Sequence, residues 1–133
     1  MADDTQISDD RARTFADGLQ TFEKDGDAAA FAALFADDAT TQRLDARGER
    51  RGEVEQFWQE YHNQFESIST TFHNVVEGSD EFALEWTSDA RLTDGRPIQY
   101  RGVTVIALDG DKISKLRTYY DSAQFAAIPA DTA

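Results

Sequence analysis

The segment Arg117-Thr118-Tyr119-Tyr120-Asp121 sets a carboxylate directly after two phenols at the end of a strand-like run. A carboxylate acts as a general base when it reaches the proton and its pKa lies near the working pH. An apolar, poorly solvated site raises that pKa. Strand alternation puts Leu116, Thr118 and Tyr120 on one face and Arg117, Tyr119 and Asp121 on the other. Asp121 therefore shares a cavity with Tyr120 only if the strand ends or bulges there. Otherwise it pairs with Arg117 or Arg101, or caps the following Ser-Ala-Gln-Phe turn. His73, in Thr-Thr-Phe-His-Asn-Val-Val, is the second catalytic candidate, because an imidazole shuttles protons near neutral pH; its plainer role is a hydrogen-bonded strand histidine. His62 follows Tyr61 on a helix and is expected at the surface.

The two histidines form no metal motif and the chain has no cysteine, so no metal and no cofactor are expected. Neither a Gly-x-Ser-x-Gly elbow nor a phosphate-binding glycine loop is present. Arg-Leu-Asp-Ala-Arg-Gly-Glu-Arg-Arg is the one locally basic stretch. Its Arg43, Arg47, Arg50 and Arg51 can grip an anionic or carbonyl-bearing ligand, or serve only as salt bridges on an acidic surface.

The elements that must position these groups are legible in two halves. Phe15, Leu19 and Phe22 recur at helical spacing, so a first helix runs from Ser8, with Ser8 as cap, to the stop at Gly26. A short Ala-rich second helix spans about 27–37, with Phe31, Leu34 and Phe35 inward. Ala-Thr-Thr-Gln-Arg-Leu reads as a short strand followed by a polar loop. A third helix from Glu53 to Phe65 carries the aromatic face Val54, Phe57, Trp58, Tyr61 and Phe65. Four β-rich segments follow, separated by Gly78-Ser79-Asp80, Asp94-Gly95 and Asp109-Gly110-Asp111, and they predict an antiparallel meander. Trp86 shares a face with Phe82, Leu84, Ser88 and Ala90; Glu85, Thr87 and Asp89 take the other. Val103, Val105 and Ala107 oppose Thr104, Ile106 and Leu108, so both faces of that strand need cover. Helices cover one, and the outer face is a candidate homodimer interface.

The 133 residues suit one domain, with residues 1–7 as a flexible acidic arm, 8–128 as the domain and 129–133 as a flexible tail. Net charge is −13, from 26 acids against 13 bases, which opposes nucleic acid and anionic membranes as partners. No apolar stretch is long enough for a membrane span, and the first residues have no signal-peptide character, so a cytoplasmic location is expected. The acids are mostly Asp and the bases mostly Arg, a pattern expected of halophilic adaptation. Screening of that self-repulsion predicts a melting temperature that rises with KCl toward molar concentration; a flat curve contradicts it.

In order and spacing, Asp-Gly-Asp-Ala-Ala-Ala-Phe-Ala-Ala-Leu-Phe-Ala-Asp-Asp-Ala-Thr, Arg-Gly-Glu-Val-Glu-Gln-Phe-Trp-Gln-Glu-Tyr, Glu-Phe-Ala-Leu-Glu-Trp-Thr-Ser-Asp-Ala-Arg-Leu, Gly-Val-Thr-Val-Ile-Ala-Leu-Asp-Gly-Asp-Lys-Ile and Tyr-Tyr-Asp-Ser-Ala-Gln-Phe resemble the SnoaL-like group of the nuclear transport factor 2-like superfamily over about residues 8–126. The resemblance implies an α+β fold: three N-terminal helices on a strongly curved mixed or antiparallel sheet, a cone-shaped barrel enclosing a cavity. It implies a pocket for a small apolar or polyketide- or steroid-like ligand, with cofactor-independent acid–base catalysis of cyclase, isomerase or hydrolase type, or else a non-catalytic ligand-binding or dimeric assembly domain. Asp121 and His73 are then the catalytic candidates. The ligand-binding candidates are Trp58, Tyr61, Trp86, Thr104 and Tyr120, with Arg43 at the mouth. A ketosteroid-isomerase site is not matched: Gln42 and Arg43 stand where the base belongs, Leu19 where the oxyanion tyrosine belongs, and Thr104 where the protonated acid belongs.

Overall fold

The computed structural model describes residues 7–43 and 49–126. Helix α1 (Asp10–Asp25) buries Ala12, Phe15, Ala16, Leu19 and Phe22 along one stripe. Its cap is Asp9 rather than Ser8. The Asp9 carboxylate accepts from the Arg11 and Ala12 N–H groups, while the Ser8 hydroxyl donates to Glu77 instead. Gly26 ends the helix in the left-handed conformation, at φ 71°, with its N–H on the Phe22 carbonyl. Ile7, expected in the arm, is buried in the core.

Helix α2 (Ala28–Ala32) is shorter than its alanine content predicts, because strand β1 (Phe35–Gln42) begins where the helix was expected to continue. The Ile113 N–H donates to the Leu34 carbonyl, and Phe35 pairs with Ile113. Sheet pairing here overrides a weak helical preference. The loop after β1 contains a two-residue strand, β2 (Arg50–Arg51), paired antiparallel with Thr40 and Thr41. Helix α3 (Val54–His62) stops before Phe65, which instead opens β3 (Phe65–Glu77). The meander then runs through β4 (Glu81–Leu92), β5 (Pro97–Asp109) and β6 (Lys112–Tyr120), antiparallel at each step. A 3-10 turn, Ser122–Phe125, follows.

Among the described residues the result is an α+β fold of three helices on one six-stranded mixed sheet in the order β2-β1-β6-β5-β4-β3. The sheet is open. Strand β1 joins β6 in parallel, and register shifts interrupt four places in the ladder, which bend it over the helices. Alternation holds on the long strands: Thr104, Ile106 and Leu108 are buried under the helices, while Val103, Val105 and Ala107 are half-covered on the outer face. Between sheet and helices, Phe15, Phe22, Phe31, Phe35, Phe57 and Trp58 stack at centroid separations of 4.9 to 6.3 Å. No helix among the described residues is long and apolar enough to cross a membrane.

Candidate functional site

The concave face of the sheet does not close completely on α1 and α3. A hollow remains, walled by Leu19 and Glu23 of α1, Phe57, Trp58 and Tyr61 of α3, and the inward side chains of Thr70, Trp86, Ser88, Thr104, Thr118 and Tyr120, with Arg43 beyond the end of β1. It is narrow. Its cavity volume is about 20 Å³. That is room for one or two water molecules. A larger ligand requires the half-buried members of the wall, such as Arg43 and Tyr120, to swing outward.

Among the described residues, Glu23 is the only carboxylate in this wall. Strand β3 is a sheet edge, and Thr70 sits opposite Ser88 with its backbone N–H and C=O turned away from β4. Helix α1 meets both groups: Glu23 Oε1 accepts the Thr70 N–H at 2.9 Å, and Gln20 Nε2 donates to the Thr70 carbonyl at 3.0 Å. Two side chains one helical turn apart thus take the place of a neighbouring strand. The second carboxylate oxygen accepts from the Thr70 hydroxyl, which is also 2.6 Å from Ser88 Oγ. Burial pushes the Glu23 carboxyl up to about 7, against the opposing effect of both Thr70 hydrogen bonds. The group therefore exists in both protonation states near neutral pH.

Apart from the Arg43 guanidinium, the other polar groups in and behind the wall are neutral. The Tyr61 and Tyr100 hydroxyls are hydrogen-bonded to each other, and burial raises both phenols further above their ordinary range. Trp86 Nε1 donates to Thr104 Oγ1 at 2.9 Å, and Thr104 Oγ1 lies 2.8 Å from Thr118 Oγ1. Trp58 is different: its indole Nε1 is buried without a hydrogen-bond partner among the described residues. Gly102 faces inward between Trp86 and Tyr120, its cross-strand neighbours. A Cβ there would lie 2.9 Å from the Trp86 ring and 2.7 Å from Tyr120 Cβ.

The six expected ligand-binding residues, Arg43, Trp58, Tyr61, Trp86, Thr104 and Tyr120, all line this hollow. The two expected catalytic residues do not. Asp121 is exposed and accepts the Ala123 N–H at 3.0 Å as cap of the 3-10 turn, the capping alternative raised by its position. His73 is exposed on the outer face, with Nε2 2.8 Å from the Thr87 hydroxyl, where it borders a groove with Glu85, Arg101 and Tyr119. His62 is half-buried against Phe22, at a centroid separation of 4.9 Å, rather than at the surface. Of the arginine run, Arg50 pairs with Glu60 at 2.9 Å and Arg51 reaches the Asp38 carbonyl at 3.4 Å; Arg47 lies outside the described residues. Glu23 escaped the sequence reading, although a signal existed: four residues after Leu19, it is a charge on the edge of the apolar stripe. Among the described residues no group of His, Cys, Asp and Glu is placed to hold a metal ion.

The sequence profile described as the SnoaL-like domain matches residues 12–116. No curated protein sequence matches the chain. Among solved structures, a nuclear transport factor 2-like protein from Anabaena variabilis superposes with a TM-score of 0.80 at 18% identity, covering 93% of this chain and 95% of that one. A protein with a ketosteroid isomerase-like fold from Catenulispora acidiphila, in complex with trimethylamine, gives 0.74 at 19% identity, over 88% and 95%. SalBIII, an epoxide hydrolase/cyclase-like enzyme with a role in pyran ring formation in salinomycin, gives 0.69 at 18% identity, over 86% and 92%. At these identities the likeness concerns the fold.

Proposed function

The chain belongs to the SnoaL-like domain family, and on that premise we propose that it is a cofactor-independent acid–base catalyst acting on a small, largely apolar ligand, with Glu23 as the group that takes and returns the proton. The observation that carries this reading is a lone carboxyl group in an aromatic hollow, held by Thr70 and poised at about 7 by burial. Structurally, a glutamine would make the same tie to Thr70 without burying a charge. A carboxyl kept there at a cost in stability suits a proton-transfer role. The simplest step breaks a C–H bond next to a carbonyl. The proton goes to a Glu23 oxygen, the electron pair delocalises onto the carbonyl oxygen, and the return of the proton to carbon regenerates the carboxylate. Isomerisation and ring closure both begin this way.

Hydrogen–deuterium exchange of isopropyl methyl ketone in D2O, followed by NMR, tests the step with a small carbon acid, which enters once Arg43 and Tyr120 swing outward. The wild-type protein is expected to accelerate exchange about 100-fold or more over the Glu23→Gln variant. Equal rates contradict the catalytic reading.

A second reading is favoured by the narrowness of the hollow: a non-catalytic domain that binds a small ligand or assembles through its outer sheet face. There Tyr119 is 41% exposed and Val76 62%. This reading predicts exchange indifferent to Glu23 and a dimer in light scattering at high salt; a monomer removes its assembly form.

A further inference from the structure

Despite a net charge of −13, the hollow has one electropositive corner. The Arg43 guanidinium lies 4.3 Å from the centre of the Phe57 ring and 5.7 Å from that of Tyr61. Trp58 packs edge-on against the same two rings, at 5.2 and 6.0 Å. Arg43 and Trp58 are therefore neighbours on the wall, across shared aromatic contacts. Both carry unused donor capacity. The Arg43 side chain is only 14% exposed, yet among the described residues its polar partners are one peptide oxygen, that of Phe57 at 3.1 Å, and the half-exposed Glu60 at 3.8 Å. A guanidinium has five N–H donors in a fork that matches a carboxylate. The indole N–H of Trp58, itself 5% exposed, has no acceptor among the described residues. A third group, the hydroxyl of the fully buried Thr41, two residues before Arg43, is also unpartnered. Buried polar atoms are rarely left without a partner, and leaving a donor unmade costs about 1–3 kcal/mol. An unsatisfied indole donor beside a buried cation, both on the wall of a hollow, calls for an acceptor from outside.

We propose that the Arg43–Trp58 corner is an oxyanion subsite, so that the ligand of the hollow is a small apolar body bearing one anionic oxygen group, a carboxylate or an enolate. This rests on the reading of the hollow as a ligand site and deepens it: one end of the ligand meets fixed donors, and the other meets Glu23. For a carbon acid, the same corner accepts the charge that develops on oxygen as the proton leaves. Trp58 and Arg43 select against cations, which the surface of this protein otherwise attracts.

The indole N–H resonances of Trp58 and Trp86 report on the corner directly, with Trp58→Phe assigning them. Isobutyrate, isobutylamine and isopropyl methyl ketone are titrated separately at about pH 6, below the Glu23 value of about 7. Isobutyrate is expected to move the Trp58 N–H downfield saturably, and to bind about tenfold tighter than isobutylamine, the reverse of what net charge dictates. Arg43→Gln, which keeps the reporter, is expected to weaken isobutyrate about tenfold. If the ketone or the amine perturbs the wall while isobutyrate binds no better, or if Arg43→Gln leaves isobutyrate binding unchanged, the subsite is wrong and the hollow stands as an apolar pocket. If none of the three binds, the subsite and the ligand reading fall together.

Discussion

Replacing Glu23 with glutamine is expected to reshape the pH dependence of stability. In the unfolded chain the carboxyl titrates at about 4.3. In the folded protein burial holds it at about 7. The folded state therefore keeps the proton after the unfolded state has released it. The stabilisation linked to this proton is full below about pH 4.3, is lost as pH climbs through 7, and changes no further above that. A shift of this size corresponds to roughly 3–4 kcal/mol. Glutamine stays neutral throughout and retains an acceptor for the Thr70 N–H. The difference between variant and wild-type unfolding free energies should rise by about that amount between pH 4.5 and 8, leaving the variant the more stable protein at pH 8. The difference removes the contribution of the other carboxylates, which are common to both chains. Denaturant titrations at several pH values measure it; parallel curves would show that Glu23 titrates like a surface acid.

The second large effect concerns Gly102. An added Cβ would sit 2.2 Å from the Tyr119 carbonyl oxygen, in addition to its collisions with Tyr120 and Trp86. The first contact is with backbone, so no side-chain rotation relieves it. Strands β5 and β6 must shift apart beside the hollow's two sheet aromatics, Trp86 of β4 and Tyr120 of β6. Overpacking ordinarily costs 1–3 kcal/mol. Because strand backbone must move here, Gly102→Ala is expected at about 3 kcal/mol or above. It is also expected to disturb the Trp86 fluorescence while leaving Trp58 largely unaffected. A loss of less than about 0.5 kcal/mol, the range of an ordinary surface change, contradicts the close approach.

Most of the wall was legible from periodicity. Trp58 and Tyr61 follow Val54 and Phe57 at helical spacing, and Trp86, Thr104 and Tyr120 fall on the inward parity of their strands. The proton-handling groups were harder to place, for physical reasons. Asp121 stands where the chain leaves the sheet, and the pull of the next turn's free N–H decides its direction. His73 follows the buried Phe72, so alternation alone puts it outside, and a register shift between Phe72 and Asn74 does not bring it in. Glu23 was hidden because a charge at the edge of an apolar stripe ordinarily reaches solvent; here the exposed edge of β3 draws it inward. The early start of β1 was equally invisible locally, since Phe35 leaves the helix for a partner, Ile113, that is distant in sequence.

The central claim is that one carboxyl, inside an aromatic hollow, changes its protonation near neutral pH. The most direct measurement is the 13C shift of the Glu23 side-chain carboxyl across pH 4 to 9, assigned by its absence from Glu23→Gln. A midpoint near 7 is the predicted result; a midpoint near 4.3, with the other surface glutamates, contradicts the account.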